Sequence, residues 1–216
     1  MEEIPLKTEY MFKIIVIGDA GVGKTSLIKR YVNGMFSANY KATIGVDFSL
    51  KVIESSDKVF RLQFWDISGQ ERFGDMTRVY YRDAVAAIIC FDLTRETTLE
   101  GARKWKADVN KKLGEDGTIN FPCILMGCKS DLVSVSPVTK QENIDELTST
   151  EKFLGNFKVS SKTSQGVDLA MEYLVKHLIK VEKPFIPHES TEPKDGLVVL
   201  DSNKKPRQKS NENCCN

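Results

Sequence analysis

Gly18-Asp19-Ala20-Gly21-Val22-Gly23-Lys24-Thr25 follows a dense apolar run, Met11 to Ile17, and precedes a helical pattern from Lys24 to Asn33. The octet matches G-x-x-x-x-G-K-[ST]. A random chain of this length would match it roughly one time in a hundred, so its place between a strand and a helix matters more than the match. Glycines let backbone N–H groups turn inward around phosphates, and the helix behind adds its positive dipole end. Lys24 then reaches the β- and γ-phosphates, and Thr25 offers its hydroxyl to Mg²⁺. A loop of this kind also serves kinases and ATPases, so it selects neither base nor chemistry.

Outward from the octet, strand-like and helical stretches alternate. Val46 to Ile53 and Val59 to Trp65 read as strands joined at Ser55-Ser56-Asp57. Val85 to Phe91 and Pro122 to Cys128 are continuous apolar runs, the mark of strands buried on both faces. Phe157 to Ser160 is a short last strand. Thr97 to Leu113 and, more weakly, Val138 to Thr150 read as helices. Val167, Ala170, Leu174, Leu178 and Val181 recur at helical spacing. The expectation is an α/β domain with a mainly parallel sheet and helices on both faces.

The 216 residues fit one domain with extensions. Residues 1–9 form a short N-terminal arm, 10–181 the domain, and 182–216 a flexible tail rich in Pro, Lys, Ser, Asn and Glu. With 31 basic and 30 acidic residues the net charge is +1, which gives no general drive toward nucleic acid. No run of about 18 apolar residues reads as a membrane span. The acidic start lacks the apolar core of a signal peptide. Cys90, Cys123 and Cys128 fall in apolar runs, Cys214 and Cys215 lie at the extreme end, and no Cys/His spacing suits zinc. A reducing cytosolic compartment is the simplest setting.

Four further segments end strands or lie in loops beside them, where ligands bind in such sheets. They are Ala42-Thr43-Ile44-Gly45, Trp65-Asp66-Ile67-Ser68-Gly69-Gln70-Glu71, Cys128-Lys129-Ser130-Asp131 and Ser160-Ser161-Lys162. Taken singly, Trp65 or Phe48 reads as core, Lys129 and Asp131 as a surface pair, and His177 and His188 as a helix-surface and a tail residue. Together and in this order they resemble the Rab family of small GTPases in the Ras superfamily, over roughly Tyr10 to Val181 and the last three residues. Ile44-Gly45-Val46-Asp47-Phe48, Arg61-Leu62-Gln63-Phe64-Trp65-Asp66 and Gln70-Glu71-Arg72-Phe73 are Rab-like. Met76-Thr77-Arg78-Val79-Tyr80-Tyr81-Arg82 resembles the subgroup associated with lysosome-related organelles.

The resemblance implies a P-loop NTPase fold, a six-stranded sheet whose one antiparallel strand is Val46 to Ile53. It implies a nucleotide site for GTP or GDP built from Asp19, Ala20, Gly21, Val22, Gly23, Lys24, Thr25, Ser26, Phe36, Tyr40, Thr43, Gly69, Lys129, Asp131, Ser160, Ser161 and Lys162. Mg²⁺ falls to Thr25, Thr43 and, through water, Asp66. Gln70 orients the attacking water. Phe36 packs edge-on against the base, the stem of Lys129 covers its plane, and the Ser161 N–H meets guanine O6. Asp131 accepts from guanine N1–H and N2–H₂; adenine would leave that carboxylate unpaired, a discrimination on the order of 10⁴. Phe48, Trp65 and Tyr80 form an aromatic effector surface.

The implied partners are an exchange factor (GEF), a GAP, a GDP-dissociation inhibitor, a Rab escort protein with geranylgeranyl transferase, and effectors, around a monomer. Cys214 and Cys215 are the prenylation pair, since Asn stands where a C-a-a-X box needs Cys. Two chains anchor where one binds only marginally. The implied location is the cytoplasmic face of an intracellular membrane, in exchange with cytosol, with endosome, phagosome or lysosome-related organelle as candidates. Intrinsic hydrolysis is slow, on the order of 10⁻⁴ per second.

The chain departs from the family where Asn usually precedes Lys129: Cys128 stands there, and a thiol is a weak hydrogen-bonding group. Weaker nucleotide affinity and faster release follow. Ser68 and Ser161 replace the usual Ala, and Ala20 stands where many Rabs have Ser. Two other readings stay open at this stage. One is a module that binds GTP and barely hydrolyses it; the other is a P-loop ATPase or small-molecule kinase.

Overall fold

The computed structural model describes residues 7–70, 77–113, 121–133 and 139–181. Six strands form one sheet in the order β2-β3-β1-β4-β5-β6. They are β1 (Thr8–Gly18), β2 (Val46–Glu54), β3 (Lys58–Ile67), β4 (Ala86–Asp92), β5 (Cys123–Cys128) and β6 (Gly155–Lys158). β2 runs antiparallel to β3, and the other neighbours are parallel. The helices are α1 (Lys24–Asn33), α2 (Thr77–Tyr81), α3 (Thr97–Leu113), α4 (Gln141–Thr150) and α5 (Val167–Val181). The expected fold class and its single antiparallel strand are both present.

The period of two along the central strands makes two cores. Ile14, Val16, Ile88, Cys90, Ile124 and Met126 pack with Leu27 and Ile28 of α1 and with Ala170, Met171, Leu174 and Leu178 of α5. Their neighbours Ile15, Ile17, Ala87, Ile89, Phe91, Cys123 and Leu125 point the other way, onto Leu99, Ala102, Trp105 and Val109 of α3 and Ile144 and Leu147 of α4. This explains why β4 and β5 lack polar alternation: every one of their residues is buried. Truncating a fully buried aromatic such as Trp105 to Ala would cost about 3–5 kcal/mol.

The element boundaries differ from the sequence expectation in instructive places. β1 starts at Thr8, before the apolar run, because polar pairs extend its ladder with β3; Glu9 accepts two bonds from the guanidinium of Arg61, at 3.1 and 3.2 Å. β6 begins at Gly155, whose pairing with Ile124 is set by β5 and not by strand propensity. Val159, expected inside that strand, still donates to Gly127 O at 2.8 Å. Lys140 is extended (φ −71°, ψ 145°), so α4 starts at Gln141; Val138 lies outside the described residues. The five-residue α2 is too short to carry an amphipathic repeat, so the sequence pattern does not mark it.

Candidate nucleotide site

The octet joins β1 to α1 at one end of a cavity of about 530 Å³. Gly18 has φ +144°, and a Cβ there would lie 2.2 Å from the Cys90 carbonyl oxygen, so only glycine lets the loop leave β1 against β4. α1 has no side-chain cap and no acidic residue in its first turn, which leaves its leading N–H groups for an anion. Lys24 is buried and its Nζ donates to Gly18 O (2.8 Å) and Asp19 O (3.0 Å). Burial lowers its pKa, while Asp66 pulls the other way. An arriving phosphate would add to the counter-charge that Asp66 supplies at this ammonium.

Three oxygen-bearing side chains from separate elements meet beside Lys24. The hydroxyls of Thr25 and Thr43 lie 2.8 Å apart. Thr25 donates a short bond to Asp66 Oδ2, and Thr43 is 3.5 Å from the same oxygen. Burial pushes the Asp66 carboxyl up, against the opposing pull of Thr25 and Lys24. Its other oxygen, Oδ1, is buried without a hydrogen-bond partner. An orphaned carboxylate oxygen beside two hydroxyls is a donor set that fits a hard divalent cation such as Mg²⁺, directly or through water.

Gly69 closes on the same loop. A Cβ there would meet Ala20 N at 2.4 Å and Asp19 C at 2.6 Å, so backbone touches backbone. Gln70 is exposed, with its N–H 3.3 Å from Ser68 Oγ. Phe36, 39% exposed, and Tyr40, 71% exposed, line the cavity with Ala20, Gly21, Gly23 and Ser26. Asp19 and Val22 are not among the cavity-lining side chains. Asp19 Oδ1 accepts the buried indole N–H of Trp105 at 3.0 Å, and Val22 is in the core.

At the opposite end Lys129 adopts a left-handed conformation (φ +64°) and donates to Asp92 Oδ2 at 2.7 Å. Burial would push Asp92 up, but the bonds from Lys129 and Thr94 outweigh it and hold its carboxyl below the ordinary value. Ser160 is fully buried behind the cavity and donates to Asp131 Oδ1 at 2.6 Å. Ser160 Oγ in turn accepts the Thr163 N–H at 3.1 Å, so the carboxylate is aimed by a fixed hydroxyl. Arg30 binds Ser161 O (2.6 Å) and Lys162 O (3.1 Å), fixing the last segment against α1. Cys128 Sγ reaches Met126 O at only 3.9 Å. Sequence reasoning missed Asp92, Arg95, Arg30 and Trp105, whose partners lie far away along the chain and leave no local signal.

Away from the cavity, Phe48 meets Trp65 edge-on at 4.4 Å, and Lys13 Nζ sits 3.5 Å above the Trp65 ring. Tyr80 is half-buried on α2 against the α3-side core. Residues 71–76 and the cysteines at 214 and 215 lie outside the described residues.

With that geometry established, likeness to known proteins supplies the chemistry. The Ras family model matches residues 13–180. The chain belongs to the Ras family. It is 43% identical to Ras-related protein Rab-32A of Dictyostelium discoideum over 212 residues, 96% of this chain and 94% of that protein. Ras-related protein Rab-32 of Sus scrofa is 40% identical, with 98% and 91% covered. Ras-related protein Rab-7L1 of Rattus norvegicus is 44% identical, with 85% and 90% covered. The chain is thus a Rab GTPase with its relatives in the Rab-32/Rab-7L1 group. It binds guanine nucleotide and hydrolyses GTP to GDP and phosphate as a switch in membrane traffic. Regulators and effectors come with that family in general terms.

Proposed function

We propose that this Rab protein is a membrane-anchored switch that recruits effectors in its GTP state and hydrolyses GTP slowly until a GAP assists. One observation supports this above the others: Thr43 and Gly69, from two different loops, converge on the phosphate loop within one cluster. A γ-phosphate held there can gather both loops, and its loss can release both. Lys24 supplies fixed charge, and the N–H groups at the start of α1 add donors. Mg²⁺, when bound, neutralises charge on the phosphate oxygens. Thr25 and Thr43 are its direct donors in this reading, with Asp66 acting through water. Gln70 orients the attacking water. Lys129 and Asp131 seat guanine, with Phe36 at its edge and the Ser161 N–H at O6.

Phe48, Trp65 and Tyr80 read the loops' state for effectors. Residues 10–181 form the switch domain, and residues 182–216 serve as a tail bearing geranylgeranyl groups on Cys214 and Cys215. Lys204, Lys205, Arg207 and Lys209 add a secondary pull toward anionic lipid. An escort protein and transferase attach the lipids, a GDP-dissociation inhibitor extracts the protein, and an exchange factor reloads it. The relatives in the Rab-32 and Rab-7L1 group favour endosomal or lysosome-related membranes.

The test is localisation of tagged protein in cells. Wild type should decorate an intracellular membrane, Thr25→Asn should shift to cytosol or to an exchange-factor compartment, and Cys214→Ser/Cys215→Ser should be soluble. Membrane attachment that survives loss of both cysteines refutes the anchor. Identical distributions of wild type and Thr25→Asn refute the switch.

A further inference from the structure

The phosphate end and the base end of the cavity are joined by a polar relay whose middle members, Arg95 and Asp92, lie outside the cavity lining. Arg95, at the turn between β4 and α3, donates through Nη2 to Ala20 O at 3.2 Å and through Nε to Asp92 Oδ2 at 3.0 Å. The same Oδ2 accepts Lys129 Nζ at 2.7 Å. Asp92 is a fixed hub: its side chain is 1% exposed, and Oδ1 accepts both the N–H of Thr94 (3.0 Å) and its hydroxyl (2.7 Å). Thr98 Oγ1 accepts the Asp92 N–H at 2.9 Å and thereby anchors the hub to α3. Arg95 is absent from the cavity lining.

The shorter route between the two ends is occupied by Cys128. Its Cβ lies 3.6 Å from the position a Cβ on Gly23 would take, so it sits directly beside the phosphate loop. Yet its thiol reaches back to Met126 O in its own strand, at 3.9 Å, and meets the Cys90 thiol of β4, neither of which belongs to the phosphate loop. A sulfur–hydrogen donor is weak, and the loop receives no strong bond from this direction.

We propose that Arg95 is a positioning residue for nucleotide retention: through Ala20 and Asp92 it ties the phosphate loop to Lys129, the tie that the Cys128 thiol does not make. This rests on the guanine-nucleotide seat proposed above. Arg95 is 46% exposed, and its planar guanidinium spreads two separate donors, Nε and Nη2, over the two acceptors, a fixed spacing that the single ammonium of a lysine does not provide.

The experiment is stopped-flow release of a fluorescent GDP analogue from the Mg²⁺-loaded full chain. Arg95→Ala and Arg95→Lys are each made in the wild-type and Cys128→Asn backgrounds, and single-turnover hydrolysis of bound GTP is followed in parallel. Arg95→Ala should release about tenfold faster, Arg95→Lys about threefold, with hydrolysis of the bound GTP within about twofold of wild type. In the Cys128→Asn background, where an amide can take up the shorter route, the Arg95→Ala effect should shrink below about threefold. Release from Arg95→Ala within about twofold of wild type overturns the proposal. So does an undiminished effect in the Cys128→Asn background, which would mean that the two residues do not share the task. A wild-type chain that retains no guanine nucleotide instead refutes the seat itself, an outcome visible before any variant is compared.

Discussion

At the phosphate end of the cavity, contacts are made largely by backbone. Gly18 leaves β1 against a carbonyl, Gly69 lies against the Asp19–Ala20 peptide, and Lys24 is held by two carbonyls of its own loop. At the base end, side chains do the positioning: Ser160 aims Asp131, Asp92 holds Lys129, and Arg30 fixes the carbonyls of Ser161 and Lys162. A backbone site demands particular residues at fixed spacing, because only glycine permits the close approaches. A side-chain site can be braced in several ways, so substitutions such as Cys128 are absorbed by distant partners. The phosphate end should therefore tolerate few changes, and the base end should show graded ones.

The sharpest break of that contrast is Asp131→Ala. The Ser160 hydroxyl fixes the carboxylate before any base arrives, so guanine pays little to orient it. Removing it should cut the preference for guanine over adenine nucleotides by about 10³–10⁴ while phosphate binding persists. Competition binding of GDP against ADP checks this, and an unchanged ratio would place guanine recognition elsewhere in the cavity.

Gln70→Leu probes the other end. Gln70 is exposed and its backbone is tied to Ser68, so the side chain can be exchanged with little effect on folding. If it orients water, single-turnover hydrolysis should slow by about tenfold or more while GDP release stays the same. Slower hydrolysis with faster release would instead mean that the substitution disturbs the Gly69 contact.

The same contrast explains what could be read from the chain. The strands, α1, α3, α5 and the octet were legible because each is a local pattern: apolar runs, helical spacing, or glycines at fixed offsets. Thr25, Thr43, Asp66, Lys129, Asp131 and Ser161 were placed by their segments, and they gather around one cavity or directly behind it. Arg95 to Ala20 spans 75 residues, Lys129 to Asp92 spans 37, and Arg30 to Ser161 spans 131. No spacing rule connects such pairs. The carboxylate of Asp19 has a partner of the same long-range kind: it turns to Trp105, 86 residues away, and nests against Gly101, where a Cβ would lie 2.1 Å from Oδ2.

Cys128→Asn has the smallest expected effect and bears most directly on how the two ends are joined. Cys128 is 1% exposed and sits beside the loop at Gly23, so the substitution exchanges a weak donor for an amide at the join itself. With nucleotide bound, the amide gains partners on the loop and at the base, and GDP should leave about tenfold more slowly, the equivalent of about 1.4 kcal/mol. Without nucleotide, the same amide is buried with fewer partners than it has hydrogen-bonding groups, which costs stability. The variant should therefore melt no higher than wild type when empty and higher than wild type when saturated with GDP, because only the bound state is favoured. Equal release rates would sink the idea that Cys128 loosens the seat. A rise in melting temperature of the same size in both states would show that the substitution acts on the core and not on the join between the two ends.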